Sequence, residues 1–267
     1  MGICRKLLFF LNVLGLAAFV ACETSPLGRT QLHLLNDAEI EAAGLTAFAK
    51  LKADTPPAQD ARVTAHVRCV AGAIIQQIRD PRAQGTWEVV VFERDEANAF
   101  ALPGRKIGVY SGILKYAQNQ DQLAAVLAHE VGHVLSNHFN ERMSTAYATQ
   151  SGLQALQVLG GASSAAHPRL LAVLGLGAQV GIMMPFERTQ ETEADLLGLD
   201  LMAQAGFDPR QSVQLWSNMA AAGGASVPGF LSTHPTRETR MRDLNSRMPK
   251  TQLLYEQAVA LGKRPDC

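Results

Sequence analysis

Hydrophobic residues crowd the start of the chain. After Arg5 and Lys6, residues 7–21 are apolar except for Asn12. As a helix this stretch spans about 22 Å, short of a bilayer core of ~30 Å, so the pattern predicts a secretory signal peptide at 1–21 rather than a membrane span. Residues 22–35 show little periodicity and read as a tether. Asn36 and Asp37 then cap a predicted helix running to about residue 53, which Pro56-Pro57 breaks. Residues 60–79 read as a second amphipathic helix, ended by Asp80-Pro81. Stretches at 87–92, 97–102 and 106–110 are rich in β-branched, aromatic and alternating apolar residues and read as strands, with a turn at Pro103-Gly104. From Ser111 onward the signals are helical. No repeat or linker divides residues 36–267, which read as a single domain.

Two stretches stand apart from this periodicity. Residues 150–166 are rich in Gly, Ala and Ser, and residues 170–184 are apolar but interrupted by glycines and Gln179. The second is too short for a comfortable span. It reads as a buried or half-buried helix, or as an apolar flap beside a substrate groove.

The leader ends Phe19-Val20-Ala21-Cys22. A small residue directly before Cys resembles a bacterial lipobox, which predicts lipidation of Cys22 and a membrane anchor; Phe19 stands where Leu is commoner. Glu23 is not the Asp that usually marks inner-membrane retention, so a periplasmic protein anchored in the outer rather than the inner membrane is expected. Cys69 and Cys267 then remain in a compartment that permits disulfides, either bridged or as two free thiols. A bridge would close a loop of 199 residues, worth roughly 5 kcal/mol in the chain-entropy model.

Composition adds exclusions. Lys plus Arg and Asp plus Glu are both 24, which argues against a nucleic-acid partner, and 47% hydrophobic with 18% charged residues excludes a disordered chain.

The chemistry is concentrated at His129-Glu130-Val131-Gly132-His133, inside a strongly helical stretch that Asn119 or Asp121 can cap. Histidines four apart share a helix face and can converge on one zinc ion at ~2.0–2.1 Å. Zinc lowers the pKa of a water towards ~7, and Glu130 can take its proton. Gly132 lets another element pack close. Two histidines do not complete a catalytic site, which needs a third protein ligand. No G-x-S-x-G, P-loop or Cys-x-x-Cys competes with this motif.

Downstream lies Glu191-Thr192-Glu193-Ala194-Asp195. H-E-x-x-H followed by E-x-E-A-D resembles the gluzincin metallopeptidases that include the prenyl-protein endoprotease, HtpX and the mitochondrial OMA protease. The lipobox makes the chain look most like the periplasmic BepA and LoiP lipoproteins. Ala101-Leu102-Pro103-Gly104, Gly112-Ile113-Leu114 and Ser232-Thr233-His234-Pro235 with Arg240 extend the resemblance over about residues 60–248. One departure is Arg105, where relatives often have a second Gly.

The resemblance implies one α+β zincin domain, mostly helical with a small sheet beside the cleft, holding one Zn2+ per chain. His129, His133 and Glu191 match its zinc ligands and Glu130 its general base. Asp195 matches an acid that orients a ligating histidine. His234 matches a residue that either approaches the zinc as a fourth ligand and plugs the site, or stabilises the oxyanion; it can also be a loop histidine that caps a helix. Arg240 either holds the oxyanion or forms a salt bridge. Glu193 reads as solvated or structural, Arg188 as an ion-pair partner, His138 as structural because it lies about 140° from the ligand face, and His33, His66 and His167 as surface residues.

An extended protein or peptide substrate is expected to add to an edge strand at Asn98, Phe100 and Leu102. The resemblance implies endoproteolysis in envelope quality control, with outer-membrane assembly or quality-control partners. A different class of reading is a chaperone-like binding factor with latent proteolysis.

Overall fold

The computed structural model describes residues 22–159, 186–222, 228–234 and 239–267. The predicted leader, His167 and the apolar stretch at 170–184 lie outside the described residues.

The segment expected to be a tether is instead a docked hairpin. Strand β1 (Cys22–Thr24) pairs antiparallel with β2 (Thr30–Leu32). Polar contacts hold it: Gln31 is buried and its Nε2 donates to the Ser136 carbonyl at 2.6 Å, while His33 sits between Glu23 and Asp37 at 2.6 and 2.9 Å. Such docking leaves no apolar periodicity, and the folded unit includes residues 22–35.

Helix α1 (Asp37–Asp54) starts where Asn36 Oδ1 accepts the Ala38 N–H at 2.8 Å, and stops at Thr55, which Pro56 pushes out of the helical region. Asp60 caps α2 (Ala61–Ile75). That helix ends short of the expected residue 79, because the N–H groups of Gln77 and Ile78 bond three residues back and tighten the chain. Pro81 then opens a 3-10 turn. Strands β3 (Glu88–Phe92), β4 (Ala99–Leu102) and β5 (Lys106–Tyr110) form a sheet in the order β3-β5-β4, with β3 parallel and β4 antiparallel to β5. The expected strands are all present. In the β4–β5 turn Gly104 has φ 87° and Arg105 has φ 60°, a left-handed conformation that a second Gly would adopt more easily.

The centre of the molecule is α3 (Gln120–Leu135), capped by Asn119. Residues 122–133 are all buried, as a helix packed on every side must be. The sheet, α2, α5 (Arg188–Gln204) and α6 (Arg210–Ala221) surround it. After α3, Asn137 at φ 55° reverses the chain into α4 (His138–Leu159). Two further helices, α7 (Pro228–Thr233) and α8 (Arg240–Ala260), close the site from the other side. A disulfide joins Cys69 on α2 to Cys267, with Cα atoms 5.6 Å apart. No helix among the described residues is long and apolar enough to cross a membrane.

Candidate metal centre

The site is built where α3 crosses α5. A Cβ on Gly132 would sit 2.9 Å from the Ala194 carbonyl oxygen, and one on Gly198 would sit 2.7 Å from the His129 backbone nitrogen. Only hydrogen fits at both places, so the two backbones touch. This brings Glu191 and Asp195, one turn apart on α5, against His129 and His133, one turn apart on α3. A capping box between Glu187 and Gln190 fixes the start of α5 just before Glu191.

Four side chains converge there. One donor atom from each of His129, His133, Glu191 and His234 lies within 4.8 Å of all the others, and all four residues are buried. The Nε2 atoms of His129 and His133 are 3.1 Å apart, and His234 Nδ1 is 3.1 Å from His129 Nε2 and 2.9 Å from Glu191 Oε1. The outer nitrogen of each helix histidine is engaged elsewhere: His129 Nδ1 meets Asp195 Oδ1 at 2.9 Å and His133 Nδ1 meets His138 Nδ1 at 2.8 Å.

A proton on each Nδ1 leaves two Nε2 lone pairs facing each other, an arrangement that a cation between them relieves. Donors about 2.0–2.1 Å from a tetrahedral zinc lie roughly 3.3 Å from one another, close to these separations. The donor set therefore fits Zn2+.

Electrostatics agrees. Burial pushes His133 well below the usual imidazole range, which favours the neutral, ligating form. Burial opposes ionisation of Glu191, yet His234 and His129 outweigh it and hold that carboxyl far below normal. Burial raises the Glu130 carboxyl, against the pull of His234 and His129.

Comparison with known proteins gives the lineage. The model of peptidase family M48 matches residues 57–248. The chain belongs to peptidase family M48. It is 38% identical over 172 residues to the mitochondrial metalloendopeptidase OMA1 of Schizosaccharomyces pombe, covering 64% of this chain and 49% of that protein. It is 31% identical over 243 residues to the OMA1 of Bos taurus, covering 86% of this chain and 45% of the relative. Against the beta-barrel assembly-enhancing protease of Escherichia coli K12 the identity is 28% over 204 residues, covering 74% and 41%. The chain thus matches half or less of the length of these relatives. The resemblance to the OMA and BepA proteases read from the motifs stands, as does the mostly helical zincin fold.

Within this M48 frame the expected residues fall as follows. Glu130 is 2% exposed, and its Oε1 lies 3.3 Å from His234 Nε2. His234 is buried in the donor cluster. Arg240 is 1% exposed and faces the acids of α5. Its Nη2 donates to Glu191 Oε2 at 3.0 Å and to Asp195 Oδ1 at 2.7 Å, and its guanidinium stacks on Trp216 at 3.4 Å. The salt bridge is present, made through Nη2. Arg188 is exposed and, among the described residues, makes no ion pair.

The edge-strand residues need a correction. β4 is an edge, but its register places the Asn98 carbonyl on the Tyr110 N–H and aligns Phe100 with Gly108, so the backbones of Asn98, Phe100 and Leu102 face β5. The outward backbone groups belong to Ala99 and Ala101, and the Ala101 N–H faces Glu130. The Phe100 ring is buried against Phe48 and Tyr110 and lies over Gly108. A charge placed there would break the core as well as change the cleft wall. The residues lining the cleft include Phe100, Ala101, Leu102, Glu130, Phe186 and His234.

Sequence reasoning undervalued His138 and Glu193. His138 Nε2 lies 3.1 Å from Glu193 Oε2, and Glu193 in turn takes Arg29 Nε at 3.0 Å. Burial opposes ionisation of Glu193, but His138, Ser25 and Arg29 hold its carboxyl down at about 2. His138 would lie about 140° from the ligand face only on one continuous helix. The left-handed Asn137 breaks it and returns His138 to His133; Ser136-Asn137, with Asn tolerant of positive φ, was the available signal.

Proposed function

We propose that the chain is a zinc-dependent endopeptidase, with one Zn2+ held by His129, His133 and Glu191. The observation that carries this is the buried convergence of these donors beside the Glu130 carboxylate. Bound zinc supplies Lewis-acid polarisation of a peptide carbonyl and activation of water. Glu130 accepts the water's proton on its carboxylate and delivers it to the leaving amine. The outward C=O groups of Ala99 and Ala101 align an extended substrate along β4. Asp195 fixes the His129 ring, and Arg240 holds Glu191 and Asp195 in place.

His234 acts as a fourth donor that holds the resting site closed, which its contacts with His129, Glu191 and Glu130 support. Substrate binding must then displace it. The same contacts favour the second reading, a chaperone-like binding factor with latent proteolysis. The signal-like leader and Cys22 support a periplasmic protein lipid-anchored at the outer membrane. Its substrates are then unfolded or misassembled envelope proteins, and its partners belong to outer-membrane assembly.

Casein cleavage by wild type, Glu130→Gln and His234→Ala tests these readings. We expect no cleavage by Glu130→Gln and faster cleavage by His234→Ala. Cleavage retained in Glu130→Gln would overturn the mechanism. A Glu130→Gln variant that fully restores the cellular phenotype of a deletion strain would favour the binding reading.

A further inference from the structure

We infer that Arg29, acting through Glu193 and His138, positions the metal ligand His133, so that the N-terminal hairpin completes the metal centre. This rests on the metallopeptidase reading above. The hydrogen bonds run in one direction only. For His133 to offer Nε2 to a metal, its Nδ1 carries the proton and donates to His138 Nδ1 at 2.8 Å. His138 then carries its own proton on Nε2 and donates to Glu193 Oε2 at 3.1 Å. Glu193 is thereby an acceptor only, a carboxylate 4% exposed, and Arg29 Nε donates to the same oxygen at 3.0 Å. One tautomer at every ring satisfies the whole path, and its end point is a guanidinium.

Arg29 also grips a second helix. Its Nη2 donates to Glu141 Oε2 at 2.7 Å, and that oxygen also accepts Gln190 Nε2 at 2.7 Å. Glu141 lies on the first turn of α4 with His138, whereas Glu193 and Gln190 lie on α5. The guanidinium therefore clamps the helix carrying His138 to the helix carrying Glu191. Arg29 is itself fixed by a tight turn, its N–H bonding Ser25 Oγ at 3.1 Å and its carbonyl accepting the Ser25 N–H at 2.8 Å. It lies outside residues 57–248, the span that matches the M48 model. A part of the chain beyond the matched span thus ends the hydrogen-bond path that leads to His133.

The test is zinc affinity of the full chain in detergent, read by transfer of zinc to chelators of graded strength. Loss of a residue that orients a metal-bound histidine typically costs ~10–100-fold in affinity. We expect a loss in that range for His138→Ala and about tenfold for Arg29→Met, with partial recovery in Arg29→Lys. The double variant should lose clearly less than the product of the two single losses, because both changes cut the path through His138. His33→Ala loosens the other end of the hairpin and should leave affinity within about twofold of wild type.

If Arg29→Met does not fold, Glu193→Gln replaces it, keeping an acceptor for His138 while removing the charge that Arg29 holds. Unchanged affinity in a folded Arg29→Met or Glu193→Gln protein would overturn the inference, as would multiplicative losses in the double variant or an equal loss in His33→Ala. Wild type that takes up no zinc would overturn the metallopeptidase reading itself, and this inference with it.

Discussion

His129 and His133 sit one turn apart on the same helix, yet the protein holds them by different means. The outer nitrogen of His129 meets a carboxylate directly, and Asp195 shares Arg240 with Glu191. The outer nitrogen of His133 meets another imidazole, and the carboxylate comes one step later. The first arm is closed and dry, with Asp195 and Arg240 at 5% and 1% exposure, and its residues lie within the M48 span. The second runs outward to Arg29, whose side chain is 27% exposed. A buried charge set is costly to break because its remaining members cannot reach water, whereas a part-exposed one yields to solvent. The inner arm therefore carries stability together with chemistry, and the outer arm is adjustable.

Breaking the inner arm should have the largest effect. Arg240→Met leaves two buried carboxylates without their cation, and the metal-free protein should lose ~3–5 kcal/mol in urea denaturation. A loss under about 1 kcal/mol would erase the distinction between the arms. Opening the Cys69–Cys267 bridge touches neither arm. Cys267→Ser should cost ~2–5 kcal/mol of stability, and zinc affinity should not change. Gly198→Ala presses on the His129 backbone, where a Cβ would meet nitrogen at 2.7 Å. It should cost ~1–3 kcal/mol in thermal or urea denaturation and weaken zinc binding, because the helix carrying Asp195 must move away from His129.

The smallest effect belongs to the outer arm and depends on pH. Burial favours the neutral form of Glu141, but hydrogen bonds from Arg29 and Gln190 outweigh it and hold its pKa below the ordinary 4.5. A lowered folded-state pKa stabilises the fold above pH 4.5, and that stabilisation is lost as pH falls through the folded value. Wild type should therefore lose about 1 kcal/mol more than Glu141→Gln on acidification through this range. Equal acid sensitivity of the two proteins would count against the Arg29 clamp.

The inner arm was legible in the sequence and the outer arm was not. Helical spacing joined His129 to His133 and Glu191 to Asp195, and the glycine inside the motif anticipated the close crossing with α5. Arg240 was legible as a partner of the site, with its salt bridge among the alternatives. The hairpin at 22–32 escaped because its docking is polar, through Gln31, His33 and Arg29. His138 escaped because a helix was extended through Asn137, where the chain in fact reverses. The edge strand was legible as an edge, but its pairing lay one residue out of step, so inward-paired residues stood in for Ala99 and Ala101. Each miss is a position where a hydrogen bond or one left-handed residue overrode a regular period.

The most direct test of the central claim is the zinc content of folded full-length protein, measured by elemental analysis for wild type, Glu130→Gln and His133→Ala. The account predicts about one zinc per chain in wild type and in Glu130→Gln, and little in His133→Ala. Folded wild type without zinc, or a His133→Ala variant that holds as much as wild type, would contradict it.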